Sequence, residues 1–88
     1  MHSVQFRMAR AVLMQSIKTV AHNAQVKAPN LRALELGKPV SRYVKDRVRT
    51  MYEELGMTFH ENEAGELSVL VKPHTLWVVE DGNIEADS

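Results

Sequence analysis

Hydrophobic positions in the first half of the chain recur with the spacing of short helices. An apolar residue stands at every third or fourth position over residues 3–14, 16–24, 28–36 and 41–56, which predicts four helices. Ser3, Ser16 and Ser41 stand where a hydroxyl can cap the first, second and fourth helices. Pro29 suits the first turn of the third helix, and Gly37 can end it in a left-handed conformation. Because the links between these helices are short, a compact cluster of crossing helices is favoured.

After Gly56 the pattern becomes typical of strands. Residues 57–61 alternate apolar and polar side chains, residues 62–66 form a turn cluster, and residues 67–72 are rich in apolar and β-branched side chains. We therefore expect a β-hairpin that Pro73 ends. Residues 75–80 could add a third strand, and the acidic residues 81–88 are expected to form a flexible tail. The predicted class is α+β, mainly α, in one compact domain with a helical core over residues 1–56 and strands over residues 57–80.

The formal net charge of zero conceals two halves of opposite charge. Residues 1–49 contain ten of the eleven Lys and Arg residues and only two acids, Glu35 and Asp46, which gives a net charge of +8. Residues 50–88 contain Lys72 and nine acids, which gives −8. A basic half of this kind suggests a polyanionic partner. The alternative is that the two halves attract each other, within one fold or across a dimer.

The candidate chemistry does not indicate an enzyme. The chain has no Cys, so disulfides, thiolate nucleophiles and Cys-ligated zinc are excluded. The four His residues lack the spacing of metal ligands, and there is no nucleophile motif and no phosphate-binding Gly loop. We expect no catalytic residue, no metal and no cofactor. No apolar stretch approaches the roughly 20 residues needed to span a bilayer. Since a signal-peptide pattern is also missing, a cytoplasmic protein without a membrane partner is expected.

The second and third predicted helices suggest a helix-turn-helix, because they are short and joined by three residues. Such a pair needs a small residue where the helices cross, an apolar residue after the turn, and apolar residues inside the second helix of the pair. Ala21, Val26, Leu31 and Leu34 occupy these positions. Many helical hairpins satisfy this pattern, so by itself it has little specificity.

The sequence around this pair resembles the Cro/repressor-type (XRE) helix-turn-helix family of phage and bacterial regulators. Residues 16–37 read SIKTVAHNAQVKAPNLRALELG and are similar to the family pattern S-Q-x-x-L-A-x-x-A-G-V-S-x-x-x-I-x-x-L-E-x-G. Residues 7–16, RMARAVLMQS, resemble the preceding R-x-A-R-x-x-L-G-x-S. Residues 53–62, EELGMTFHEN, resemble an ending frequent in short members, R-x-A-L-E-x-A-G-V-E-F followed by x-E-N-G-G-G-x-G-V-R-L. The resemblance covers residues 4–72 without gaps.

The chain also departs from the family pattern at one DNA-contact position and two glycine positions. Ile17 replaces a Gln at the start of the second helix, where the family often contacts DNA. Met14 and Gln25 replace glycines, and Gln25 must then accept a left-handed or strained backbone in the turn.

The resemblance implies that the third helix enters the major groove of DNA. Ala28, Pro29 and Ala33 of this helix offer base edges no hydrogen bond. Lys27, Asn30 and Arg32 are therefore the expected base-reading residues, since Arg suits guanine and Asn suits adenine. The expected phosphate contacts are Ser16, Lys18, Lys38, Ser41 and Arg42. The alternative is that these side chains are ordinary helix caps and solvated surface charges. For Arg10, a phosphate contact and an ion pair with Glu35 are both open.

These features predict a cytoplasmic, DNA-binding transcriptional regulator of a bacterium, phage or mobile element, acting as a dimeric repressor on a double-stranded operator and lying at the nucleoid when bound. The expected dimer contact is the apolar segment Leu76, Trp77, Val78 and Val79, because it lies beyond the family's ending and a strand there would offer unpaired backbone groups. The alternative is a protein–protein interaction module on the same fold, antitoxin-like or an anti-activator, which the poor recognition helix favours.

Overall fold

The structure is a computed structural model, and it describes residues 1–75. The element order is α1 (Ser3–Leu13), α2 (Ile17–Ala24), α3 (Ala28–Glu35), α4 (Arg42–Glu54), β1 (Met57–Glu61) and β2 (Leu67–Val71). The chain is thus α+β and mostly helical, with a two-stranded antiparallel sheet, and this part of the prediction is confirmed. Residues 73–75 are helical, so Thr75 does not begin a strand. The rest of the predicted third strand and the predicted tail lie outside the described residues.

Serine hydroxyls cap α2 and α4 as predicted. Ser16 Oγ accepts a hydrogen bond from the Thr19 N–H at 3.1 Å, and Ser41 Oγ accepts one from the Val44 N–H at 3.2 Å. The start of α1 differs from the prediction, because its N-cap is His2 and Ser3 is already helical. The His2 N–H donates to Gln5 Oε1 at 2.9 Å. A glutamine that reaches back in this way satisfies the cap backbone, so no hydroxyl is needed at the cap position.

Two non-glycine residues end helices in the left-handed region. Met14 (φ 56°) follows α1, and Gln25 (φ 61°) follows α2. The left-handed backbone predicted for Gln25 is therefore confirmed. Such a conformation costs an L-residue roughly 1–2 kcal/mol. At the end of α2 this cost is offset in part by Arg47, whose Nε donates to the Ala24 carbonyl at 3.2 Å.

The core lies between the helices and the inner face of the hairpin. Helix α2 packs against α3 and α4, and the hairpin packs against α1 and α4. The ring of Phe59 on β1 covers Phe6 and Tyr52, with centroids 6.5 and 6.2 Å apart. The fully buried apolar side chains include Phe6, Ala9, Leu13, Val20, Ala21, Ala24, Leu31, Val48, Tyr52 and Met57. Of the residues expected at the crossing of α2 and α3, Ala21, Leu31 and Leu34 are thus in the core, and Val26 is partly buried against it.

A buried glutamine joins α1 to both strands. Gln5 is 2% exposed, and its Nε2 donates to the carbonyls of His60 at 2.9 Å and Ser68 at 3.1 Å. His60 and Ser68 are partners in the antiparallel register, so one amide contacts β1 and β2 at the same level. Because its Oε1 accepts from His2, the whole side chain is satisfied without water. Gln5 therefore sets the position of the hairpin on α1.

The link between α4 and β1 requires glycine. Gly56 has φ +100°, and a Cβ added there would lie 2.5 Å from the Thr75 hydroxyl oxygen and 2.7 Å from the His74 ring. Thr75 is 2% exposed, and its hydroxyl donates to the Leu55 carbonyl. The helical turn that follows β2 thus closes over the end of α4, and only a residue without a side chain fits beneath it.

Candidate nucleic-acid interface

An ion pair between α1 and α3 sets the orientation of α3. Arg10 Nε lies 2.7 Å from Glu35 Oε2, and Arg10 Nη2 lies 3.0 Å from Glu35 Oε1, so the contact is bidentate. Arg10 also donates to the Gln15 carbonyl at 3.1 Å, and Arg7 donates to the Glu35 carbonyl. The hydrogen bond with Glu35 raises the pKa of Arg10, against the opposing effect of burial. Of the two roles open for Arg10, the structure therefore contains the ion pair.

Tyr52 lies near this pair without a hydrogen bond. Its side chain is fully buried, and its hydroxyl has no partner among residues 1–75. Burial raises the pKa of Tyr52 well above its usual range; the Glu35 carboxylate raises it further, and Arg10 lowers it. The ring fills the core, whereas the hydroxyl carries an uncompensated desolvation cost.

One groove lies between the turn that precedes α3 and the start of α4. This turn groove has a volume of about 570 Å³ and is lined by Gln25, Val26, Lys27, Asn30, Ser41, Tyr43 and Val44. It brings together two of the predicted base-reading residues, Lys27 and Asn30, with one predicted phosphate contact, Ser41. The lining contains no acid, so the groove is suited to an anionic or polar ligand.

A second groove lies along the other side of α3. This outer groove has a volume of about 200 Å³ and is lined by Ala28, Pro29, Arg32, Ala33, Leu36 and Lys38. Its floor is apolar and includes Leu36, which is 58% exposed. Arg32 and Lys38 add positive charge to this apolar surface. The predicted base-reading set is therefore divided, because Arg32 lines one groove while Lys27 and Asn30 line the other.

The remaining predicted phosphate contacts lie at helix starts. Lys18 is exposed in the first turn of α2, and Arg42 is the exposed first residue of α4. The Ser16 hydroxyl, which caps α2, also donates to Thr19 Oγ1 at 3.0 Å. Ser16 and Ser41 thus both have capping roles. Ser16 and Lys18 line neither of the two grooves.

Two residues in the turn groove were not predicted as functional. The first is Gln25, whose Oε1 accepts from Arg47, which leaves the two N–H donors of the Gln25 amide available. Tyr43 is 65% exposed in the first turn of α4. Gln25 stands where the pattern that the sequence resembles has a glycine, which was the signal for it. Tyr43 could have been found from its position beside Val44, because an inward Val44 turns Tyr43 outward.

Charge is segregated along the molecule. Within residues 1–45 the sole acid is Glu35, and it is 3% exposed and paired with Arg10. Exposed acids begin on α4 with Asp46 and continue at its end and on the hairpin, where Glu53, Glu54, Glu61, Glu63 and Glu66 are exposed. Because α4 has 13 residues, its two ends are about 20 Å apart. The surface around α3 therefore carries only positive formal charge among residues 1–45, whereas on α4 the exposed Asp46 follows Arg42 by one turn.

Residues 1–75 contain no group of three His, Asp or Glu side chains that could hold a metal ion. None of the helices over these same residues has the length and apolar character needed to cross a membrane. No family model matches the chain, and no curated protein or solved structure shows significant similarity to it. The predicted dimer contact, Leu76 to Val79, lies outside the described residues and stays a prediction.

Proposed function

We propose that this protein is a sequence-specific DNA-binding transcriptional regulator that reads the major groove with α3. The observation that carries the proposal is the charge of the α3 surface. Lys27, Arg32 and Lys38 are exposed at and next to α3, while Glu35, the one acid of α3, is buried against Arg10. A DNA duplex is a dense line of negative charge, so a surface with cations and no exposed acid is suited to it.

The dimensions of α3 fit the major groove. An α-helix with its side chains is about 10–12 Å in diameter, and the major groove is about 12 Å wide. The side chains are divided by role. Lys27 and Asn30 offer hydrogen bonds on one side of the helix and Arg32 offers them on the other, while Ala28 and Ala33 are small enough to contact thymine methyl groups.

The starts of two other helices supply the phosphate contacts in this proposal. Lys38 precedes α4 and Arg42 begins it, and Lys18 lies in the first turn of α2. Helix N-termini favour anions because their first N–H groups lack intrahelical partners. Gln25 and Tyr43 add donors in the turn groove between these two helix starts. These contacts would set the register of α3 on the duplex without reading its sequence.

Dimerisation through Leu76 to Val79 completes the proposal. Two copies related by a two-fold axis would place their α3 helices on one face, as half-sites one helical turn apart require. Removing residues 76–88 while keeping Thr75 is expected to convert a dimer to a folded monomer. Sedimentation and circular dichroism measure the two properties separately. A truncated chain that remains dimeric would reject this contact.

Selection of bound sequences from random duplex DNA tests the function directly. The native chain should enrich one motif, and Asn30→Ala or Arg32→Ala should each cost about 1–3 kcal/mol on that site and relax one or two base pairs. Lys38→Ala should weaken specific and random DNA alike. Lys72→Ala is the matched control, because Lys72 is an exposed lysine of the acidic half. If no motif is enriched, the proposal fails.

The second candidate function is a protein–protein interaction module on the same fold, with little DNA binding. The outer groove favours it, because its floor is apolar and Leu36 is more than half exposed. Base edges make little use of such a surface. A chain that fails to enrich any DNA site, yet loses partner binding on Leu36→Ser, would support this second function.

A further inference from the structure

The outer groove combines an apolar floor with positive charge. Leu36 is 58% exposed, Pro29 is exposed, and Arg32 and Lys38 lie in the same lining. Neither of these two cations forms an ion pair with an acid of residues 1–75. An exposed apolar surface beside cations favours a short acidic segment that also carries an apolar side chain.

The C-terminus of this chain has that composition. Residues 80–88 read EDGNIEADS, with four carboxylate side chains, no basic residue and a single large apolar residue, Ile84. We propose that residues 80–88 bind in the outer groove of their own chain, with Ile84 on the apolar floor and the acids beside Arg32 and Lys38. This second part rests on the proposed function: the segment competes with DNA for α3 and lowers the affinity of the protein for duplex DNA.

The segment is long enough to reach the groove. The described chain stops at Thr75, and Ile84 is nine residues further on. Nine extended residues span about 30 Å. Thr75 contacts Leu55 at the end of α4, and α4, with 13 residues, places that end about 20 Å from the α3 side of the molecule. A tethered segment has an effective concentration in the millimolar range, so even a weak contact is populated. If the segment is bound in about nine molecules of ten, DNA binding is about tenfold weaker.

A spin label tests the docking without DNA. Because the chain has no Cys, Ser88→Cys provides a single attachment site beyond Ile84. In the full-length protein the label should broaden the amide signals of Ala33 and Leu36. Ile84→Ser should abolish this broadening without changing the charge, and Asn83→Ser, its neighbour, should leave it unchanged. If the signals of Ala33 and Leu36 are not broadened in the labelled Ser88→Cys chain that keeps Ile84, the proposal is overturned.

A mixed sample identifies which chain supplies the segment. Spin-labelled, unenriched protein is combined with unlabelled, isotopically enriched protein, so that only contacts between copies broaden signals. No broadening is expected at Leu36. Broadening in the mixture would assign the contact to a second copy and overturn docking within one chain.

The effect on DNA is measured with full-length variants of equal length. Ile84→Ser should raise the affinity for duplex DNA about tenfold, whereas Asn83→Ser should not change it. An unchanged affinity for Ile84→Ser, in a chain that binds DNA, overturns the competition. If the native chain and Ile84→Ser both fail to bind DNA, the proposed function fails, and the label experiment decides the docking by itself.

Discussion

Removing Arg10 should destabilise the protein far more than its surface position suggests. Glu35 keeps only 4% of its side-chain surface exposed, whereas Arg10 keeps 28%. Arg10→Met therefore leaves a buried carboxylate without its cation, which typically costs about 3–5 kcal/mol. Glu35→Gln should cost less, about 1–3 kcal/mol, because the partly solvated guanidinium can still donate to the amide oxygen. The two partners of one ion pair thus have unequal effects.

Urea unfolding followed by circular dichroism measures these differences in the free energy of unfolding. The matched control is Arg49→Met, which breaks the exposed pair with Glu53 (Nε to Oε2, 3.1 Å) and should cost at most about 1 kcal/mol. The double variant Arg10→Met/Glu35→Met should recover most of the loss, because it removes both charges from the core. If Arg10→Met costs no more than Glu35→Gln or Arg49→Met, the reasoning from burial is refuted.

Three further predictions concern the core, the end of α4 and the DNA contact. Tyr52→Phe should raise the free energy of unfolding by about 1 kcal/mol, because it removes an unpaired buried hydroxyl, while exposed Tyr43→Phe should not. Since the pKa of Tyr52 is raised in the folded state, ionisation of its hydroxyl above about pH 10 favours unfolding, so stability falls as the pH rises further, and this alkaline loss should diminish in Tyr52→Phe. Gly56→Ala should destabilise the protein more than Gly65→Ala in thermal unfolding. Both glycines have positive φ, but a Cβ at Gly56 would clash with neighbouring side chains, Thr75 among them, whereas a Cβ at Gly65 would meet nothing. Equal losses would contradict that explanation. For DNA, log K should fall with log salt at a slope near −7 if a dimer neutralises roughly eight phosphates, and a slope shallower than about −2 would count against phosphate docking.

Local hydrogen bonding and periodicity could be predicted well from the sequence. Ser16 and Ser41 cap α2 and α4 because a hydroxyl next to an amphipathic run satisfies N–H groups only three residues away. The hairpin of residues 57–71 follows from alternation around a turn cluster. The left-handed backbone of Gln25 was expected because Gln25 stands where the resembled pattern has a glycine. Each of these signals is contained within a few neighbouring positions.

Contacts between distant segments were decided by the tertiary structure alone. Gln5 is polar in sequence, yet it is buried because two strand carbonyls more than fifty positions away need a donor. Arg10 had two open roles until α3 placed Glu35 within 3.0 Å of it. The division of the α3 side chains between a turn groove and an outer groove depends on where α4 crosses. Hydrophobic patterning determines which face of each helix is buried, but the crossing of the helices determines which exposed residues become neighbours.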